Sequence, residues 1–374
     1  MPALPEIVEQ LRRCLLGRAS LTALAGLSLS GGLPAALQEV PKLPAARAAM
    51  ESPAPSLAEA LAAAIEPHFE HGLPRRPHYL EVRDGWLLKT SLRTFRFLNA
   101  GLFASLEQPV GEQPEAPLKR IVATIADTRR QLAESGVELL VVPIPMRLNI
   151  YPEALVEVQL DEAFRGCGPG LAQLCQDLRA ADVEVLELLS PLCAERGDPA
   201  GGPDQLVFMR ENGHWTPHGL AISAELIAQH VRSRPWFEPL GPADSRLVEL
   251  RATWKPDGER LPEGVAPPEL TFERVLDAAG KPVARTDKTS PVALWGDSFT
   301  TIFKAEGADL PRRLNHLLGG PLDVIATLGG GADSTRLNFA RRPHAFEGKR
   351  LVVWTFSTRS LLAGKWETMR LKRP

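Results

Sequence analysis

The chain has 374 residues, of which 44% are hydrophobic and 24% charged, with a formal net charge of −2. That length supports one large or two modest domains around a substantial core. The near-neutral balance, without any basic run interleaved with aromatics, excludes general nucleic-acid binding, and no stretch reaches the roughly 18–20 apolar residues of a transmembrane helix.

Residues 1–37 read as an export signal or N-terminal anchor. Arg12, Arg13 and Arg18 precede a mild apolar run, 19–37, interrupted by serines and glycines, which is the general plan of a signal peptide. Paired arginines before a weak Gly/Ser-containing segment lean toward the twin-arginine route. Residues 38–75 mix proline with alanine and read as a connecting arm carrying one helix over 56–65. Residues 79–88 read as two short strand pieces about an Asp84-Gly85 turn, with Trp86 in packing.

From residue 118 the pattern becomes alternating α/β. Ile121, Ile125, Thr128 and Leu132 share one helical face. Residues 137–144 form a buried-type strand ended by prolines, 170–180 a helix and 183–189 a second strand. A helix over 216–231 has Thr216 as its cap and Pro217 at its first turn. Residues 240–288 are polar and proline-bearing, an excursion from the core. Three further strands are expected over 291–295, 322–328 and 350–356. Continuous apolar strands alternating with helices predict a mostly parallel sheet covered on both faces, a three-layer α/β/α fold over 76–374. Cys14, Cys167, Cys175 and Cys193 form no Cys-x-x-Cys pair, so no structural metal site is expected. Cys167 and Cys175 are near enough in sequence to bridge.

Two stretches carry chemistry. In 291–300 (Pro-Val-Ala-Leu-Trp-Gly-Asp-Ser-Phe-Thr) an apolar run stops at Gly296, turns, and presents Ser298 where a helix begins. That is the setting of a nucleophile beside its own outward-pointing backbone N–H, or of a plain serine N-cap. In 211–219 (Glu-Asn-Gly-His-Trp-Thr-Pro-His-Gly) the loop residue His214 precedes a capped helix, well placed as a general base or as a histidine packed on Trp215. A distant His–Ser pair is a legitimate nucleophilic arrangement, because its roles recur in several chain orders.

These residues resemble the SGNH-hydrolase-like (flavodoxin-like) family of periplasmic alginate O-acetyltransferases, the AlgJ/AlgX type. That family carries Asp-x-His-Trp-(Ser/Thr)-Pro-x-Gly and later Gly-Asp-Ser-(Phe/Tyr), matched here at 212–219 and 296–299. Further resemblance lies at 84–87, 142–147, 151–152, 329–331 and 353–359, so it spans roughly 80–360 in a shared order. It implies a serine acyl-enzyme: Ser298 takes an acetyl group while His214 removes its proton, and a polysaccharide hydroxyl then takes the acetyl. It also implies a periplasmic location, a polysaccharide acceptor, a membrane-bound O-acyltransferase as acetyl source, and no cofactor.

The second oxyanion donor is sought at Gly329 and Gly330, Arg147 and Arg359 are candidates to steer an anionic uronate-type chain, and Trp215 is a further binding candidate. The sequence departs from the family at Asn212, where the triad acid belongs, and at Thr355, where relatives tend to carry glutamate. Glu211, three residues before the histidine, is the alternative orienting acid. Two other functions fit the same pattern: a carbohydrate acetylesterase, with water replacing the sugar hydroxyl, and a non-catalytic polysaccharide-binding protein that lost the acid.

Overall fold

The computed structural model describes residues 57–65, 79–81, 86–89, 118–241, 244–255, 261, 264–329, 331–362 and 366–371. The expected leader 1–37 and all of the arm but helix α1 (Leu57–Ile65) lie outside these residues, as does the Asp84-Gly85 turn. On either side of that turn, β1 (Tyr79–Glu81) and β2 (Leu87–Lys89) pair antiparallel.

The centre is a five-stranded sheet in the order β4-β3-β9-β7-β8, parallel at every pairing. Its strands are β3 (Glu138–Ile144), β4 (Glu184–Val185), β7 (Val292–Gly296), β8 (Asp323–Ala326) and β9 (Leu351–Ser357). β7 and β9 are buried along their whole length, which is why their sequences run apolar without alternation. Helices α2 (Leu118–Ala133), α4 (Pro169–Ala180), α6 (Pro217–Arg232), α8 (Leu310–Leu318) and α9 (Asp333–Ala340) complete the main body. Short helices α3 (Arg147–Ile150), α5 (Leu189–Ala194) and α7 (Ser298–Thr301) lie between them. In α2 the expected face, Ile121, Ile125, Thr128 and Leu132, is buried.

Two expectations need correction. The second strand is only Glu184–Val185, because helix α5 begins at Leu189. The excursion over 240–288 contains an antiparallel ribbon, β5 (Arg246–Thr253) with β6 (Glu269–Leu276), paired from Arg246 opposite Leu276 to Thr253 opposite Glu269. Cys167 and Cys175 do not bridge: with Cys193 they are free thiols.

Because the five central strands are parallel, their carboxyl ends share one edge of the sheet. Gly296 ends β7, Ala326 ends β8 and Ser357 ends β9, so the segments that follow converge where open α/β sheets place their ligands.

Candidate active site

Ser298 is the first residue of α7, and the cap is Asp297, whose carboxylate accepts the Phe299 N–H at 3.0 Å. The serine is therefore released from the capping role. Asp297 does more than close a helix: its other oxygen accepts the Ser357 N–H at 2.7 Å and the Ser360 hydroxyl at 3.1 Å, so the turn after β7 is tied to the end of β9. Burial raises its pKa, opposed by those hydrogen bonds and by the charge of Arg359. The turn is tight enough to require glycine at 296, since a Cβ there would stand 1.7 Å from the Thr300 hydroxyl oxygen. Thr300 in turn meets Thr355 at 2.9 Å, and Thr355 donates to the Trp295 carbonyl at 3.1 Å. Thr355 thus serves to brace β9 on β7.

His214 comes from a narrow loop. Phe208 and Trp215 form an antiparallel bridge, and the Met209 N–H donates to the His214 carbonyl at 3.0 Å. Thr216 caps α6, accepting the Gly219 N–H at 3.2 Å. Gly219 is required here too: a Cβ would lie 2.2 Å from the Val207 carbonyl oxygen. This packing presents the imidazole to the serine, with His214 Nε2 2.8 Å from Ser298 Oγ. Phe299 packs against the ring, with centroids 4.5 Å apart, and itself stands edge-on to Trp215 at 5.2 Å.

Behind the histidine stands Asn212, 2% exposed, its Oδ1 at 2.5 Å from His214 Nδ1. The same Oδ1 accepts the His214 backbone N–H at 3.1 Å. That second bond fixes the chemistry of the first. A backbone N–H requires an oxygen opposite it, so the amide presents its acceptor to Nδ1, and Nδ1 carries the proton. The other ring nitrogen, Nε2, is then the acceptor facing the Ser298 hydroxyl. An amide in this orientation holds the productive tautomer that a triad carboxylate would hold, without supplying its charge.

The remaining candidates separate. Glu211 is half-buried with a pKa raised by burial, and Nδ1 is served by Asn212 instead. Trp215 is fully buried against Phe299 and offers no surface to a ligand. Arg147 is only 5% exposed and donates to backbone carbonyls within the protein, which corrects the expectation that it steers an anionic chain. Arg359, half-buried, lies beside the loop that carries His214: a Cβ on Gly213 would sit 3.3 Å from its Nη1. No hydrogen bond or ion pair engages its guanidinium among the described residues. Gly329 is exposed with φ +70, in the segment after β8, where the Thr327 N–H donates to the Gly296 carbonyl at 3.1 Å. Gly330 lies outside the described residues.

Among the described residues no group of three or more His, Cys, Asp or Glu is placed to hold a metal ion. None of their helices is long and apolar enough to cross a membrane. Sequence reasoning missed Asp297, Ser357, Ser360 and the supporting role of Phe299; the available signal was Asp297 itself, an acceptor standing just before a helix start.

A parallel sheet that presents serine, histidine and an orienting amide at its carboxyl edge defines an SGNH-hydrolase-like protein. A family profile described as "SGNH hydrolase-like domain, acetyltransferase AlgX" matches residues 99–358, and the chain belongs to that family. Among its relatives is a probable alginate O-acetylase AlgJ of Pseudomonas fluorescens, 26% identical over 257 residues, covering 64% of this chain and 61% of the relative. Its counterpart in Azotobacter vinelandii is 27% identical over 266 residues, covering 64% and 62%. The chain thus spans less than two thirds of the length of these relatives. Two solved structures share the fold. The O-acetyltransferase domain of Pseudomonas putida AlgJ has a TM-score of 0.56 and 22% identity, over 77% of this chain and 94% of that domain. Pseudomonas aeruginosa AlgX has a TM-score of 0.52 and 20% identity, over 81% and 67%.

Proposed function

We propose that this protein is a serine-dependent O-acetyltransferase that moves an acetyl group onto hydroxyls of an exported, alginate-like polysaccharide. The observation that carries this reading is the unbroken chain Asn212 Oδ1–His214 Nδ1 (2.5 Å) and His214 Nε2–Ser298 Oγ (2.8 Å). In the first half-reaction Ser298 Oγ attacks the acetyl carbonyl carbon while Nε2 takes the hydroxyl proton. The tetrahedral intermediate collapses to acetyl-Ser298, and the imidazolium returns the proton to the departing group. In the second, a sugar hydroxyl gives its proton to Nε2, attacks the acetyl carbon and leaves as the O-acetyl ester. Ser298 is restored with the proton from His214.

The developing oxyanion is assigned to the Ser298 backbone N–H, which has no acceptor among the described residues. A second donor is assigned to the segment containing Gly329, where a glycine with φ +70 and open space around its Cβ position lets the backbone approach a ligand. Arg359 is assigned to the acceptor, its guanidinium, beside the 209–214 loop, facing a uronate carboxylate. The N-terminal segment supports export to the periplasm, and relatives named alginate O-acetylase support alginate as the acceptor class. The acetyl donor is assigned to a membrane-bound O-acyltransferase partner.

The test is acetyl transfer from p-nitrophenyl acetate to a uronate oligosaccharide, read by mass. Acetylated oligosaccharide supports the transferase. Free acetate alone replaces it with the esterase reading, and a folded protein that releases no nitrophenol leaves only a non-catalytic polysaccharide-binding role.

A further inference from the structure

Arg147 begins α3 at the end of β3, buried at 5% exposure. The two N–H groups of its Nη1 are shared among three carbonyls of the loop that carries His214: Met209 at 2.7 Å, Arg210 at 2.8 Å and Asn212 at 3.1 Å. Its Nη2 donates to the Leu87 carbonyl on β2. The Leu87 N–H closes the circuit by donating to the Arg210 carbonyl at 2.8 Å. The guanidinium lies over Trp86 at 5.2 Å, and the same ring receives Arg210 at 5.9 Å. Trp86 is itself packed on Tyr151, with centroids 4.8 Å apart.

This geometry has a physical cause. The loop from Met209 to His214 doubles back on itself and turns several carbonyl oxygens toward one interior point. Buried carbonyls need donors, and a planar fork of N–H groups serves several acceptors at once in a fixed plane, which a lysine ammonium does not. One of the carbonyls held is that of Asn212, the residue whose side chain fixes the proton of His214. Trp86 and Leu87 precede the span 99–358 that matches the family profile, yet they form the other wall of this clamp.

We propose that Arg147, backed by Trp86 and Leu87, is a positioning residue that locks the Asn212 backbone and so keeps the His214 proton on Nδ1. The proposal rests on the serine-transferase reading for its consequence in rate. Its structural part is read on resting protein without substrate, so an inert Ser298 sinks that reading and leaves this one to be judged separately.

The test is nitrogen NMR of histidine-labelled protein, combined with acylation kinetics on p-nitrophenyl acetate. In the native protein His214 should give the signature of one neutral tautomer, with Nδ1 protonated. Arg147→Lys should give a mixture of tautomers, and kcat for acylation should fall by about 10–100-fold while KM changes by less than about threefold. Millimolar guanidinium should restore part of the rate to Arg147→Ala. Trp86→Leu, which keeps the charge and removes the ring beneath it, should move the same signal in the same direction. If both Arg147→Lys and Trp86→Leu lower the melting temperature but leave a single Nδ1–H tautomer, the clamp is merely structural and the proposal is overturned.

Discussion

Asn212 is where perturbation is most informative, because the structure separates two contributions that a triad carboxylate makes together. A carboxylate holds the histidine tautomer and also stabilises the imidazolium by its charge. Replacing it with an amide in a serine protease costs about 10⁴-fold, largely because the tautomer is wrong. Here the geometry sets an acceptor against Nδ1, the arrangement that suits the productive tautomer: Oδ1 accepts the backbone N–H at 3.1 Å and lies 2.5 Å from Nδ1. Asn212→Asp therefore adds only charge, at a site 2% exposed where desolvation opposes ionisation. The gain in the acylation rate should be about 10–100-fold, or ~1.4–2.7 kcal/mol in the barrier. Asn212→Leu strips the acceptor from two donors and should cost a similar factor, about 10–100-fold, from ~1–3 kcal/mol of lost hydrogen bonding. The assay is the nitrophenol burst under single-turnover conditions from about pH 5 to pH 9. A folded Asn212→Leu protein with an unchanged burst rate, or an Asn212→Asp protein slower than the native one, would refute the tautomer argument.

Three further outcomes are expected. Glu211→Gln should change the burst rate by less than about twofold, since Glu211 does not serve Nδ1; a loss comparable to that of Asn212→Leu would return the orienting role to Glu211. Gly296→Ala should destabilise the protein by about 2–3 kcal/mol in urea unfolding, because the added methyl meets Thr300 in a buried turn; native stability would show that the turn is looser than described. Burial holds the Cys167 and Cys175 thiols up at about 11 and Cys193 at about 12, against a reference of 9.0. Folded-state values above the unfolded ones contribute stability that is fully present below about pH 9 and is lost as pH rises through about 11–12. Alkylation of the native protein at about pH 8 should accordingly run about 10²–10³-fold slower than in urea, and equal rates would show the thiols to be exposed.

How far the sequence reached depended on whether a residue's partners are local. The strands β3, β7, β8 and β9 could be read because a sheet covered on both faces demands continuous apolar runs. The α6 start was equally legible, since Thr216 and Pro217 act within one helical turn. Ser298 and His214 emerged from short motifs whose residues act on one another across 84 positions. The clamp was invisible for the opposite reason. Arg147 finds carbonyls 60–65 residues away, and carbonyls carry no side-chain signature, so the sequence offered Arg147 only as a candidate to steer an anionic chain. Trp215 misled in a related way: an aromatic beside a histidine suits either a ligand platform or core packing, and only its burial against Phe299 decides. The ribbon β5–β6 was obscured because charged residues such as Arg246, Glu249 and Arg251 punctuate a half-buried strand.

In the proposed mechanism Ser298 carries the acetyl group. This is tested most directly by quenching the protein with p-nitrophenyl acetate in acid within the first turnover and locating the adduct by peptide mass spectrometry. One acetyl group on Ser298, absent from Ser298→Ala and from His214→Ala, is the predicted result. An acetyl group on another residue, or none on Ser298 in a protein that still releases nitrophenol, would contradict it.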